Sequence, residues 1–480
     1  MLFMEKIKNS KVISFFWNNK NVIFVFLFTL LIYMFLGFYI NNGDPTASYG
    51  FSHAIVKGEV PYRDFNTIST PLYAFYCSIF LLIYDDFLMF VIAQTILVTI
   101  MFYFLFKTYG NKAWIVLLAM VVLKFMGFNA TYNFCCLTMF SIVIYLEREH
   151  NDKDYLIGLF LGLAFLSKQT IGGLLVLPTI LYYFKTPKKI LKRFIGWMIP
   201  CLILIVYLIF NNALFDFINL CFLGLFDFGG NNKYLFTIWF FISMIMILIA
   251  ILFIFKKKDI ISLYMFVPIG FVIPIFDLPH FAYYLVAFTI VIVSYIKELN
   301  KPKLILVFGC ILEFTIFNWQ MATHEYKASF YKGINHFKYK YNYELDYNGD
   351  MRQRKFINKY IDLDPILIMY YSMNYNISMD RDITYFDIFL YGNHGYNGTN
   401  MMINRIKKMK KQYFIVNMSE YEDSKNGNGT SQFNYEIVDY IINNSTIYAK
   451  EGDFVVYYKE WVFAWTCVKK LERLYGIIED

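Results

Sequence analysis

Charge is scarce in this chain. Of its 480 residues only 17% are Asp, Glu, Lys or Arg, where a soluble domain carries roughly 25%. Hydrophobic residues make up 58%; exchanging tyrosine for glycine in that count still leaves about 55%, above the roughly 45–50% of soluble domains. The length would suit two or three soluble domains, but this composition excludes a chain that is soluble throughout. It also excludes disorder, which needs low hydrophobicity. With 25 Gly and 11 Pro the chain is no collagen, and with seven Cys it is no disulfide scaffold. Cys77, Cys135, Cys136, Cys201, Cys221 and Cys310 lie in or beside apolar runs and read as small packing residues, and Cys467 stands alone. No metal spacing is present, and the adjacent Cys135 and Cys136 suit neither a zinc site nor an ordinary disulfide. A Walker loop is missing as well, which speaks against ATP-driven transport. What remains is a polytopic membrane protein.

The charge that is present is unevenly placed. Residues 1–320 hold 24 Lys+Arg and 16 Asp+Glu, while residues 321–480 hold 20 of each, so the whole net charge of +8 lies in the apolar two thirds. A spanning helix needs roughly 17–25 mostly apolar residues. Eleven runs are candidates: 22–40, 86–106, 113–128, 134–146, 155–168, 173–184, 194–210, 235–255, 260–275, 281–296 and 304–320. The run 22–40 follows Lys6, Lys8, Lys11 and Lys20, is too long for a cleaved signal peptide and lacks a small-residue cleavage site, so it reads as an anchor with its N-terminus in the cytoplasm. Alternating the spans from there puts 19 Lys+Arg in cytoplasmic stretches and four (Lys57, Arg63, Lys168 and Lys233) in outer loops, with Lys124 inside a span. Cytoplasmic loops are the ones expected to carry the excess. The fold class expected is therefore a polytopic α-helical protein of the cell membrane with about 11 spans. Residues 1–320 form its membrane domain, 41–85 its first outer loop, and 321–480 a small C-terminal extracytoplasmic α/β domain. In that last segment Met351–Tyr360, Thr399–Lys411 and Tyr435–Asn443 read as helices. Ile366–Tyr371, Tyr385–Leu390, Tyr413–Asn417 and Phe454–Tyr458 read as strands, and Ser424–Ser431 as a loop. No internal repeat is visible.

The loop 41–85 is far longer than two spans need. It opens with Asn-Asn-Gly-Asp44-Pro45, continues as an amphipathic stretch to Lys57, and carries Gly58-Glu-Val-Pro61-Tyr62-Arg63-Asp64-Phe65 and Thr70-Pro71-Leu72. The apolar run 71–84 reads as an interfacial helix, because a span there would reverse every later loop against the charge distribution. An acidic residue just beyond the first span, followed by this block, resembles the integral-membrane glycosyltransferases of the GT-C fold. The nearest subgroup is family 39, which includes protein O-mannosyltransferases and the lipid A aminoarabinose transferase. Gly158-Leu-Phe-Leu-Gly162-Leu-Ala-Phe-Leu-Ser-Lys168 looks like that family's Gly-x3-Gly helix ending in Lys, and Asp277-Leu-Pro-His280-Phe at an outer helix start is a weaker third match. The resemblance covers most of residues 20–320. Two departures stand out: relatives often carry Asp-Glu where this chain has Asp44-Pro45, and Pro-Pro-Leu where it has Thr70-Pro71-Leu72.

The resemblance implies a sugar, hexose or pentose, transferred from a polyprenyl-phosphate donor to an envelope glycan, lipid or protein on the outer face. It implies no cofactor; a divalent metal is compatible but not indicated. Such chemistry needs a carboxylate to take the acceptor's proton and cations to stabilise the departing phosphate. Asp44 matches the family's base, with Asp64 as a second acid. Tyr62, Arg63, Lys168, Asp277 and His280 are the candidates for binding the donor phosphate or substrate. Bland alternatives stand beside each: Asp44 before Pro45 can cap a helix, Asp64 can be a turn residue, and His280 can be a structural residue at a helix start. Lys168 can snorkel to the outer headgroups, although it lies between two short apolar runs, where a polar break must be buried or line a wet cavity. Lys124 can snorkel too, Glu313 lies mid-span without an assigned role, and Asp85 and Asp86 read as solvated loop charges. Asn-x-Ser/Thr sequons, among them Asn129, Asn376, Asn397, Asn417, Asn428 and Asn444, do not establish glycosylation. The largest cytoplasmic loop has nine residues, too few for a nucleotide-sugar domain. A flippase or exporter of lipid-linked glycans, or a polymerase, is the alternative class; charges gathered at the outer ends of the spans favour the transferase. No nucleic-acid partner is expected.

Overall fold

The computed structural model describes residues 19–36, 44–124, 131–226, 237–273, 276, 278–296, 348–369, 372–379, 381–387, 394–426 and 434–460. Two compact units emerge. The first contains the described residues up to 61, those from 69 to 217, and those from 237 to 296. The second contains Tyr62–Ile68, residues 218–226 and the described residues from 348 onward.

The first unit is helical: α1 (Lys20–Leu36), α2 (Asp44–Val56), α3 (Leu72–Leu81), α4 (Phe87–Tyr109), α5 (Ala113–Lys124), α6 (Tyr132–Glu149), α7 (Asp154–Ser167), α8 (Gln169–Leu174), α9 (Val176–Tyr183), α10 (Pro187–Phe210), α11 (Leu214–Ile218), α12 (Ile238–Lys257), α13 (Ile260–Leu263) and α14 (Leu278–Ile292). Among the described residues three stretches are long and apolar enough to cross a membrane: Leu88–Met120, Pro187–Phe210 and Ile238–Lys257. Shorter apolar helices occupy parts of 22–40, 155–168, 173–184, 260–275 and 281–296; 134–146 falls within the 18-residue α6, and 304–320 lies outside the described residues. Within Leu88–Met120, Gly110 adopts φ 56° and interrupts the helix where the sequence places a loop at 107–112. The expected span 260–275 is a short α-turn followed by a 3₁₀ segment, Tyr264–Phe271, with Pro268 inside it. Helix α12 exposes Ile238, Phe241, Ile245, Leu248, Leu252 and Phe255, each more than half accessible. Spaced three and four apart, they form one apolar stripe, which suits a hydrocarbon surround rather than water. Helix α3 has ten residues, too few to cross, and its end leaves Leu82 and Ile83 exposed.

Glycines decide how α7 meets α10. A Cβ on Gly158 would fall 2.0 Å from the Arg193 carbonyl oxygen, one on Gly162 2.5 Å from that of Trp197, and one on Gly196 2.2 Å from that of Tyr155. The Gly-x3-Gly spacing thus lets the two backbones touch. Loop charges expected at 147–154 and 185–193 are partly drawn inward here. Arg193 Nη1 and Nη2 donate to the Glu147 carboxylate at 2.5 and 3.1 Å, Nε to Asp154 at 3.0 Å and Nη1 to Thr179 Oγ1 at 3.1 Å. The Tyr264 hydroxyl donates to Glu147 at 2.9 Å. Asp85 and Asp86 are likewise not merely solvated: Asp85 pairs with buried His53 at 2.6 Å, and Asp86 caps α4 by accepting from the Leu88 amide.

The second unit contains α15 (Asn348–Lys359), β1 (Ile366–Ile368), α16 (Ser372–Ser378), α17 (Gly398–Lys408), β2 (Lys411–Asn417), α18 (Met418–Lys425), α19 (Tyr435–Asn443), β3 (Thr446–Glu451) and β4 (Phe454–Glu460). Its sheet order is β1-β2-β4-β3, with β1 parallel to β2 and the other pairs antiparallel. Phe356, Ile357, Leu367, Met369, Tyr375, Ile415 and Val456 form a core between α15 and the sheet. The expected strand Tyr385–Leu390 is a turn over 385–387, with 388–390 outside the described residues.

Candidate functional site

The chain turns back on itself at Lys168. This residue is extended (φ −153°, ψ 111°) between α7 and α8. A Cβ on Gly172 would fall 2.1 Å from Phe165 Cα, so glycine lets α8 fold against the end of α7. The Lys168 side chain is 8% exposed. Its ammonium donates to Asn133 Oδ1 at 2.8 Å and lies 5.5 Å from the Tyr132 ring centre and 5.4 Å from that of Phe271. Asn133 is in turn held by Thr131, the N-cap of α6, whose hydroxyl is 3.3 Å from the Tyr283 hydroxyl. Ser167 Oγ donates to Cys135 Sγ. The ammonium is therefore held by an amide oxygen and two aromatic faces.

The block Tyr62–Phe65 is a tight turn in the second unit. The Tyr62 amide donates to the Phe65 carbonyl at 2.9 Å. Tyr62 is fully buried at φ 72°, a conformation that costs a bulky residue about 1–3 kcal/mol and persists only where the surroundings enforce it. Within the turn Arg63 grips Asp64 in a fork, Nε to Oδ1 at 2.8 Å and Nη2 to Oδ2 at 2.7 Å. Both are partly exposed, at 43% and 32%. The two charges expected to serve separately, one on phosphate and one as an acid, thus form a single ion pair.

The remaining candidates are placed singly. Asp44 is the first residue of α2, the helix that Pro45 follows into. His280 lies in the first turn of α14 and is half-buried, and Asp277 lies outside the described residues. Lys168, Asp44 and His280 belong to the first unit, and Tyr62, Arg63 and Asp64 to the second. Asn133 and Tyr132 were not legible as partners, since an Asn-Phe-Cys-Cys run carries no motif; a polar residue at the start of an apolar span is the one signal they give. Among the described residues no three His, Cys, Asp or Glu group closely enough to hold a metal ion.

The sequon Asn376 is buried, its amide donating to both oxygens of Asp387 at 2.8 and 3.0 Å. Asp387 also accepts from the Thr384 amide at 2.6 Å. Burial raises its carboxyl from 3.8 to about 6 against these hydrogen bonds and the nearby Arg381.

No protein-family model matches the chain, and no curated protein matches it. Among solved structures it is similar to ArnT from Cupriavidus metallidurans, crystallised bound to undecaprenyl phosphate. The TM-score is 0.49 and the identity 9%, over 91% of this chain and 97% of that one.

Proposed function

We propose that this protein is a membrane glycosyltransferase that moves a sugar from a polyprenyl-phosphate donor to a cell-envelope glycan, lipid or protein on the extracytoplasmic face. The observation that carries the reading is Lys168, a buried ammonium set at an extended break between two short apolar helices. A cation so placed stabilises charge that develops on a leaving phosphate, and an ionisable group at membrane depth is functional by default. The ordered sequence blocks around Asp44, Tyr62–Phe65 and Gly158–Lys168 support the same class. In the reaction the bond between the sugar's anomeric carbon and the donor phosphate oxygen breaks, and the acceptor oxygen bonds to that carbon. The acceptor's proton passes to the Asp44 carboxylate, and the polyprenyl phosphate leaves as an anion stabilised by a cationic side chain, for which Lys168 and Arg63 are the candidates. Asp64 sets the orientation of Arg63 and is the second acid of the site. Asp277 and His280 are assigned to the substrate side, and no metal is required by a monophosphate donor.

Mass spectrometry of envelope glycans compares cells lacking the gene with cells carrying the wild type, Asp44→Asn or Lys168→Met. The wild type restores a sugar that the deletion lacks. Both variants accumulate in the membrane at wild-type levels and fail to restore it, each costing transfer roughly a hundredfold or more. Full restoration by both would remove the assignment.

A further inference from the structure

We propose that Arg405, on helix α17 of the second unit, is a positioning residue that holds the Tyr62–Phe65 turn and so aims the Arg63–Asp64 fork at the donor phosphate. The inference rests on the transferase reading above for its substrate and on the geometry for the rest.

Arg405 Nη1 donates to the Arg63 carbonyl oxygen at 3.4 Å, and its guanidinium lies over the Tyr385 ring, 3.6 Å from the centre. A planar guanidinium can do both at once, stacking with its face and donating from its edge. The helix carrying it is tied at each end. In its first turn Thr399 Oγ1 accepts from Asn434 at 2.9 Å. At its C-terminus the buried Lys459 ammonium of β4 donates to the carbonyls of Ile406 and Met409 at 2.7 and 2.8 Å, taking up acceptors that helix ends leave unmet. The approach to the helix is fixed as well, because Asn219 Oδ1 accepts from the Tyr396 amide at 3.0 Å and a Cβ on Gly224 would fall 2.7 Å from Gly395 Cα. Tyr385 belongs to the turn that the Asp387 carboxylate closes on the Thr384 amide. On the other side Tyr62 is hydrogen-bonded to the Cys221 thiol. The strained Tyr62 turn is therefore gripped from two sides, by the 219–224 segment and by Arg405. The Arg405 contact reaches the carbonyl of Arg63 itself, the peptide that carries the fork.

The test uses the full chain in lipid nanodiscs, as wild type, Arg405→Ala, Arg405→Lys and Tyr385→Leu. Hydrogen exchange is followed at amides 62–65 and, as a folding control, at Phe414–Val416 in β2, together with titration of a short polyprenyl phosphate. In Arg405→Ala and in Tyr385→Leu exchange at 62–65 rises about tenfold, the worth of one charge-assisted hydrogen bond, while the β2 amides hold. The dissociation constant for the lipid phosphate rises by a similar factor. Arg405→Lys, which keeps the charge but not the stacking plane, recovers only part of both. Unchanged exchange at 62–65 in Arg405→Ala overturns the proposal, as does faster exchange with unaltered lipid-phosphate affinity or full rescue by Lys. A wild type that binds no polyprenyl phosphate defeats the transferase reading instead, and the exchange data still decide whether Arg405 holds the turn.

Discussion

At the scale of single residues, the acids and bases of this protein are set by what surrounds them. Asp387 shows it most directly, with a carboxyl raised from 3.8 to about 6 by burial. A raised acid binds its proton more tightly folded than unfolded, so its stabilising contribution is complete below about pH 4 and is lost as pH rises through 6. Two pKa units correspond to about 3 kcal/mol. We expect the second unit to gain about 2–3 kcal/mol relative to an Asp387→Asn variant when pH falls from 7 to 4. Exchange protection of the β2 amides in both proteins measures it, and a difference that stays constant with pH contradicts it. Lys168 is held in place by an amide oxygen and two rings. Its position between two apolar runs was plain in the sequence, because a polar residue interrupting short hydrophobic segments has few bland readings. Its partners were not, since Asn133 lies 35 residues away along the chain and only tertiary packing joins them.

At the scale of elements, α7 and α10 make the closest helix pair for which glycine is decisive. Replacing Gly158 with Ala gains helix propensity of about 1 kcal/mol, yet the new methyl would stand 2.0 Å from the Arg193 carbonyl oxygen. The contact must open, and packing loss outweighs propensity. Gly158→Ala is expected to lower the melting temperature of the detergent-solubilised protein by several degrees, whereas Gly173→Ala, with no atom within 4 Å of its Cβ, leaves it unchanged or raises it. Equal effects at both positions would contradict this reading. The Gly-x3-Gly spacing was legible as a motif, and the structure supplies its mechanical role. Helices and strands of the second unit were also readable from alternation, with α19 found at the expected residues. The missed strand β3 is an edge strand with mostly exposed residues, and so gave no hydrophobic alternation to read. The expected strand at Tyr385 was misled by aromatic content: its backbone turns because Asp387 binds Thr384.

At the scale of the whole molecule, the charge map of the sequence makes a topological prediction. Cysteines introduced at the exposed Asp152 and Asn397 should differ in intact cells, Asn397→Cys reacting with a membrane-impermeant maleimide and Asp152→Cys only after permeabilisation. The reverse pattern would invert the orientation. Those charges did not reveal the triad of Arg193, Glu147 and Asp154, because a loop arginine and a buried one look alike in a list of residues. Removing one member is expected to cost about 3–5 kcal/mol, so Arg193→Met should cut the folded yield sharply, with partial recovery in the double variant Arg193→Met, Glu147→Gln. The order of these residues along the chain has a consequence for biogenesis. Glu147 and Asp154 leave the ribosome before Arg193, so the two carboxylates wait for their cation until α10 has been made. Assembly of this part of the fold is therefore completed by α10, whose docking on α7 brings the guanidinium to both acids at once.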